Sequence, residues 1–382
     1  MLSRDELAAW LRLGTTPGIS RATARRLLAA LGSPERVLAA DESTLLALSG
    51  RDVVGALKRR DARDEATLAA TQRWLDAATP EAARDVVTLD DPRYPALLLE
   101  TADPPLLLFT LGRVELLSAP GVAIVGSRNA TPQGIDNARV FARFLSGYRL
   151  TVVSGLAMGI DGAAHEGALE GPGSTVAFVG TGLDRVYPAA HAALARRIAQ
   201  QGLVASEYPL GTPPLADNFP RRNRLIAGIA RGTLVVEAAL ESGSLISARL
   251  AVESGRDVFA IPGSIHSQQS QGCHRLIQEG AKLVERGEDV LRELRLEPHE
   301  RMPRATLSPP RPSLFASTPH DDAGGPDGAL RAALGHDPVT FDALAARTGM
   351  QTDQLAARLL ELELAGVVER LPGGLMQRRA RA

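Results

Sequence analysis

Hydrophobic residues change their spacing along the chain, and each change marks a region. Over residues 1–80 they recur at three and four, as in Leu27, Leu28 and Leu31 and again in Leu45, Leu46 and Leu48. That is the period of helices burying one face. Breaks at Thr16-Pro17-Gly18, Gly32-Ser33-Pro34 and Ser49-Gly50 cut the region into short pieces. Residues 86–111 hold two apolar runs joined by proline-rich turns, which predict two strands. Over residues 120–295 short β-branched runs alternate with helix-length segments. The runs are Val122–Val125, Leu150–Val153, Thr175–Val179, Leu203–Ala205, Leu234–Val236, Val258–Ile261 and Lys282–Val284. Strand–helix alternation of this kind predicts βαβ units in a doubly wound, mainly parallel sheet. Strands covered on both faces read as continuous apolar runs, as these do.

Residues 297–326 carry seven prolines among Ser, Thr and Gly, a composition that cannot bury a core and predicts a flexible linker. Beyond it, helical periods run through Ala329–Leu334, Phe341–Thr348 and Asp353–Ala365. A hairpin pattern turned at Pro372-Gly373-Gly374 comes after them. Three helices and a two-stranded wing are the winged-helix order. The expected organisation is therefore a helical domain over 1–80, an extended Rossmann-like α/β domain over 86–296, the linker 297–326, and a winged-helix-like domain over 327–382.

Composition narrows the function classes. The 382 residues carry a formal net charge of −1, so the chain as a whole is no polycation. Residues 1–60 hold 10 basic and 6 acidic residues, a local +4, and residues 328–382 hold 7 and 6, or +1. Of the basic residues all but Lys58 and Lys282 are arginine. No apolar run is long enough to span a bilayer. The opening MLSRDELAAW is charged where a signal peptide needs apolar residues. A single cysteine, Cys273, excludes a disulfide framework and fits a reducing cytoplasm.

In a doubly wound sheet, ligands bind beyond the carboxyl ends of the strands. The turns after the predicted strands are small, hydroxylated or glycine: Gly126-Ser127-Arg128, Ser154-Gly155, Gly180-Thr181-Gly182, Ser242-Gly243-Ser244 and Pro262-Gly263-Ser264. Such turns let an anion approach backbone amides at helix starts. Neither Gly-x-Gly-x-x-Gly nor a P-loop motif is present, which disfavours a dinucleotide or ATPase site. After the fourth run comes Phe219-Pro220-Arg221-Arg222-Asn223-Arg224. Cations at a helix start are unfavourable unless an anion or acidic side chains meet them. A ring beside guanidinium groups suits an exposed base with phosphates alongside; the alternative is a core Phe219 with arginines paired to Glu207 or Asp217. The alternatives also stay open for Thr16–Ser20 with the helix after it: a phosphate-binding helix-hairpin-helix or a packing module. Asp161 and His165 stand at i and i+4, as an acid/base pair or a structural bond. Glu237, at a strand end, is the one carboxylate worth keeping as a catalytic candidate. No histidine shows metal-ligand spacing, and neither cofactor nor metal is expected.

The segments VAIVGSRNAT (122–131), VVSGLAMGIDGAAH (152–165), YP (187–188), SEYP (206–209), FPRRNRLIAG (219–228), VVEAALESGSLISA (235–248), GRDVFAIPG (255–263) and GCHRLIQEGAKLV (272–284) together resemble the DprA/Smf family, the DNA-processing proteins of natural transformation. The resemblance covers about residues 90–290 and extends to the lead-in RYPALLLETADPPLLLFTLG (93–112). It implies a non-enzymatic, dimeric, single-stranded DNA-binding protein that protects incoming strands and loads RecA past single-strand-binding protein. By position, Arg128 would bind the DNA backbone, Phe219 would stack on a base, and Arg221 or Arg222 would hold a phosphate. Arg224 would contact DNA or buttress the loop. Gly126, Ser127, Ser242, Gly243 and Ser244 would supply amides and hydroxyls, and His274, Ile277 and Leu283 would lie at a dimer contact. The terminal domains would meet duplex DNA or a protein partner. Ser247 stands where the family's run has Thr, and keeps the hydroxyl. The rival class is a Rossmann-type phosphoribohydrolase using Glu237 with Ser242-Gly243-Ser244, but its PGGxGTxxE motif is missing. A third reading makes the protein chiefly a scaffold.

Overall fold

The computed structural model describes residues 2–59, 62–265, 267–296, 330, 333–334 and 338–379. The predicted linker lies outside the described residues, as does half of the segment predicted as the first helix of the last domain. Six helices open the chain: Arg4–Thr15, Arg21–Leu31, Pro34–Ala39, Glu42–Ser49, Arg51–Lys58 and Ala62–Asp76. Ser3, Ser20, Ser33 and Asp41 cap the first four, each accepting a backbone N–H of the first turn. Their buried residues, among them Leu7, Trp10, Leu27, Leu45 and Trp74, pack together with Leu107 and Phe109 of the sheet. The core of the helical region therefore continues past residue 80 into the sheet.

That sheet has nine strands: β1 (Arg84–Thr88), β2 (Leu107–Gly112), β3 (Gly121–Val125), β4 (Thr151–Ser154), β5 (Thr175–Phe178), β6 (Leu203–Ser206), β7 (Gly232–Val235), β8 (Asp257–Ala260) and β9 (Lys282–Leu283). Their spatial order is β1-β2-β6-β5-β4-β3-β7-β8-β9. From β6 to β9 neighbours are parallel, whereas β1 and β2 join antiparallel at the far edge. The seven runs and the two bridge strands fall where the apolar pattern puts them. Strand order reverses at β3, which has β4 on one side and β7 on the other. This is the topological switch point, where a crevice opens beyond the strand ends.

The last domain has its own core of Leu344, Leu355, Leu359, Val368 and Met376. Strand β10 (Val339–Thr340), helices Phe341–Thr348 and Thr352–Leu364, and the wing strands β11 (Val368–Leu371) and β12 (Leu375–Arg378) keep the winged-helix order. Gly373 and Gly374 turn the wing at φ 83° and 76°, a region that favours glycine. Among the described residues no helix is long and apolar enough to cross a membrane.

A buried polar cluster shapes the carboxyl edge of the sheet. Arg222, on the helix Asn218–Ile229, is 3% exposed and lies beneath the strand ends. Its Nη1 donates to the carbonyls of Gly155 (2.5 Å) and Phe178 (2.6 Å), joining the ends of β4 and β5. A Cβ on Gly155 would collide with that guanidinium, so this turn needs glycine. Burial pulls the Arg222 pKa down to about 10, and the charge of Asp161 opposes the shift. Asp161 accepts from Gly155 N (3.0 Å) and Ala157 N (3.4 Å). His165 Nε2 accepts from Leu156 N (3.2 Å). Its Nδ1 lies 2.7 Å from the Thr175 hydroxyl, which itself donates to Val152 O. That pattern sets a neutral ring protonated at Nδ1. Asp161 and His165 thus each hold the backbone of one turn and do not form an acid/base pair.

This cluster can be tested by titration. Burial pushes the His165 pKa down to about 3, against an ordinary value of roughly 6.5 in the unfolded chain. The stability it contributes is fully present above about pH 6.5 and declines as pH falls from there toward 3. Between pH 7 and 5.5 the wild type should lose about 1 kcal/mol more unfolding free energy than His165→Gln; equal losses in urea titrations would refute this. Arg222→Ala leaves Asp161 buried without its countercharge, and should cost about 3–5 kcal/mol by the same method at pH 7.

Candidate nucleic-acid interface

At the switch point the turn after β3 is fastened to the turn after β7. Ser127 N donates to Glu237 O (2.7 Å). Thr131 donates to the Glu237 carboxylate from both its backbone N (2.9 Å) and its hydroxyl (2.5 Å). Gly134 leaves the room that this carboxylate fills. Burial raises the Glu237 pKa, and the two Thr131 bonds oppose the rise. Both carboxylate oxygens are engaged in holding the loop that carries Arg128. This placement answers the catalytic reading of Glu237 with a structural role.

Below that loop lies an open cleft of about 470 Å³, lined by Gly126, Ser127, Arg128, Ser242, Gly243 and Ser244 among others. Ser242 caps the helix Gly243–Glu253, accepting from Ser244 N at 3.3 Å, and its hydroxyl meets that of Ser244 at 2.7 Å. The partial positive charge of this helix start faces the same cleft as Arg128. Gly126 is required by packing, since a Cβ there would lie 2.6 Å from Ile160 and 2.9 Å from Glu237 O. The structure therefore brings together the residues that the sequence places after the first and fifth predicted strands.

Phe219 sits at the rim, over the end of β5. Asn218 Nδ2 donates to Gly180 O (3.0 Å), which sets the start of the helix there. The Phe219 ring is half-buried, with the Arg128 guanidinium 5.8 Å from its centroid. Arg128 and Arg221 are exposed, and neither forms an ion pair within 4 Å among the described residues. Of the two arginines offered for a phosphate, Arg221 and Arg222, Arg222 differs from that expectation. Arg222 is buried under the strand ends, spent on the carbonyls of Gly155 and Phe178. Arg224 pairs with the buried Glu207 and donates to Asp103 O (2.6 Å). Arg21, from the opening helical region, joins the same acids at 3.0 Å (Glu207) and 2.5 Å (Asp103). Arg224 thus buttresses the loop, one of its two expected roles. The helix after Thr16–Ser20 directs Arg21 and Arg25 into this docking contact, Arg25 through Ala102 O at 2.8 Å. That favours the packing reading of the segment.

Sequence reasoning missed one aromatic group. Tyr187, in the turn after β5, packs on Phe219 with ring centroids 5.3 Å apart. The dipeptide Tyr187-Pro188 was visible as a matching motif but gave no hint of this contact. On the opposite flank, Leu283 is 50% exposed on β9, the last strand of the sheet. Ile277 packs partly buried against the core, and His274 Nε2 meets Gly263 O at 2.9 Å. Among the described residues no group of three or more His, Cys, Asp or Glu is placed to hold a metal ion.

Comparison with known proteins gives the family. The family model for DNA recombination-mediator protein A matches residues 85–295, and that for the DprA winged helix domain matches 308–374. Protein Smf of Escherichia coli is 41% identical over 80% of this chain and 79% of its own length. DNA processing protein DprA of Streptococcus pneumoniae is 53% identical over 54% of this chain and 72% of its own. A solved X-ray structure of DprA from the same organism superposes with a TM-score of 0.65 at 39% identity, covering 76% of this chain and 98% of that one. DNA processing protein A of Helicobacter pylori, solved to describe its single-stranded DNA binding mode, gives 0.51 at 32% identity over 55% and 95%. With a shared fold and matches across both the α/β and the winged-helix regions, the chain belongs to the DprA/Smf family of DNA-processing proteins.

Proposed function

We propose that this protein binds single-stranded DNA along the carboxyl edge of its sheet and serves as a recombination mediator that delivers the strand to RecA. The observation that carries the reading is the pairing of two exposed cations without ion-pair partners among the described residues, Arg128 and Arg221, with a half-buried Phe219 beside a cleft of helix-start amides. Phosphates meet the guanidinium groups and the Ser242–Ser244 amides, and a base meets the ring. Arg128 lies over Phe219 with no carboxylate in ion-pair reach among the described residues, so its charge is free to meet a phosphate. Near neutrality of the whole chain does not oppose this, because screening over about 8 Å makes local charge decide. The relative from Helicobacter pylori supports the same ligand. Binding, not bond cleavage, is the role proposed, since Glu237 is engaged by Thr131.

Two copies act together through the β9 flank. An edge strand has unpaired backbone groups, and around it Leu240, Ile246, Val252 and Leu283 are exposed. His274, Ile277 and Leu283 belong to this flank. The winged-helix domain and single-strand-binding protein enter at the delivery step, where the strand passes to RecA in a reducing cytoplasm.

The first test is fluorescence anisotropy of a labelled single strand of about 20 nucleotides against its duplex, at several salt concentrations. The wild type should prefer the single strand. Arg128→Ala should reduce the slope of log affinity against log salt by about 0.7, and an unchanged slope removes Arg128 from the phosphate contacts. Phe219→Ala should cost on the order of 1–3 kcal/mol. Sedimentation should give a dimer that Leu283→Glu converts to a monomer; a monomeric wild type refutes the second copy.

A further inference from the structure

Fourteen aromatic residues serve the whole chain, and the structure buries or half-buries nearly all that it describes. Trp10, Trp74 and Tyr94 are buried, and Tyr94 donates its hydroxyl to Pro105 O at 2.8 Å. Tyr208 is part-buried and donates to Asn218 O at 3.3 Å. Tyr187 is the exception. It is 48% exposed, the single exposed aromatic among the described residues. Its neighbour Val186 is 41% exposed as well. The Tyr187 hydroxyl makes no hydrogen bond among those residues, so the ring is not held by a polar anchor. What it touches is Phe219, at 5.3 Å between centroids and 36° between planes. The loop carrying it is firmly seated: His191 Nδ1 meets Leu156 O at 3.0 Å, and Gly162 leaves room for the His191 ring. An exposed ring on a seated loop costs hydrophobic free energy in water and recovers it on contact with a flat apolar ligand.

We infer that Tyr187 is a second base-stacking residue, which together with Phe219 makes a two-ring wall leading the strand from the switch-point cleft toward the ends of β5 and β6. This rests on the single-stranded DNA reading above. The two rings already touch, so no base enters between them; one base lies on each exposed surface. Arg128 flanks the Phe219 ring, and the Tyr187 side carries no cation over the ring among the described residues. The second contact therefore contributes through stacking and adds no phosphate contact. Stacking of this kind tolerates any base sequence, because every base presents a flat face.

The test uses the full chain and a short oligothymidine carrying 5-iodouracil, with ultraviolet cross-links mapped by mass spectrometry, beside anisotropy of the unmodified strand. Cross-links should map to both Tyr187 and Phe219. Tyr187→Ala should weaken single-strand binding at least about fivefold while leaving the salt slope and the Phe219 cross-link in place. Tyr187→Phe should restore the affinity. If Tyr187 merely propped Phe219, the Phe219 cross-link would disappear in Tyr187→Ala, and the inference would fall. It would fall equally if Tyr187→Ala bound as the wild type does, while Phe219→Ala still weakened binding and left the ligand assignment standing. Absence of single-strand binding by the wild type would overturn both.

Discussion

One buried guanidinium sets the shape on which the candidate site depends. Arg222 ties the ends of β4 and β5 through the carbonyls of Gly155 and Phe178. A charged group at 3% exposure is costly unless its hydrogen bonds and countercharge are supplied. Here backbone carbonyls meet Nη1, Nε is left without a partner among the described residues, and Asp161 supplies the countercharge, while Asp161 itself organises the amides of Gly155 and Ala157. Removing either partner would leave the other uncompensated in the same low-dielectric surroundings. The turn after β4 is thereby held from both sides, and its Ala157 lines the same cleft as Arg128.

The helix that carries Arg222 does three things within seven residues. Phe219 and Arg221 face the rim, Arg222 reaches under the sheet, and Arg224 turns to Glu207 and Asp103. Successive residues on a helix point in directions about 100° apart, so a short arginine-rich run necessarily distributes its charges among different surroundings. The same acids that receive Arg224 receive Arg21 from the opening helical region. Site and docking contact are therefore two faces of one rigid element.

Much of this was legible in the sequence, for identifiable reasons. The strands were readable because a sheet covered on both faces needs continuous apolar runs, and Val122–Val125 or Thr175–Val179 carry no competing signal. Arg128 and the Ser242 turn were placed together by the rule that ligands gather at strand carboxyl ends. The pairing of Arg224 with Glu207 was one of the alternatives open in the sequence, but the burial of Arg222 was not legible, because burial is decided by the carbonyls and carboxylates that distant segments bring. Nor was the partnership of Thr131 with Glu237, which joins residues far apart in sequence across the switch point. The exposure of Tyr187 was hidden likewise: a dipeptide shows that a ring is present, and only the fold shows that it is left in solvent against Phe219.

The apolar cluster joining the opening helices to β2 has a practical consequence for anyone shortening this protein. Periodicity places a seam near residue 80, yet Leu107 and Phe109 lie in the same core as Trp10 and Leu27. Cutting at the seam would strip the cover from one face of the antiparallel edge and leave Glu207 without one of its two arginines. A fragment made that way would offer bare hydrocarbon to its neighbours in solution, and its tendency to precipitate would reflect the cut, not the intrinsic solubility of the α/β domain.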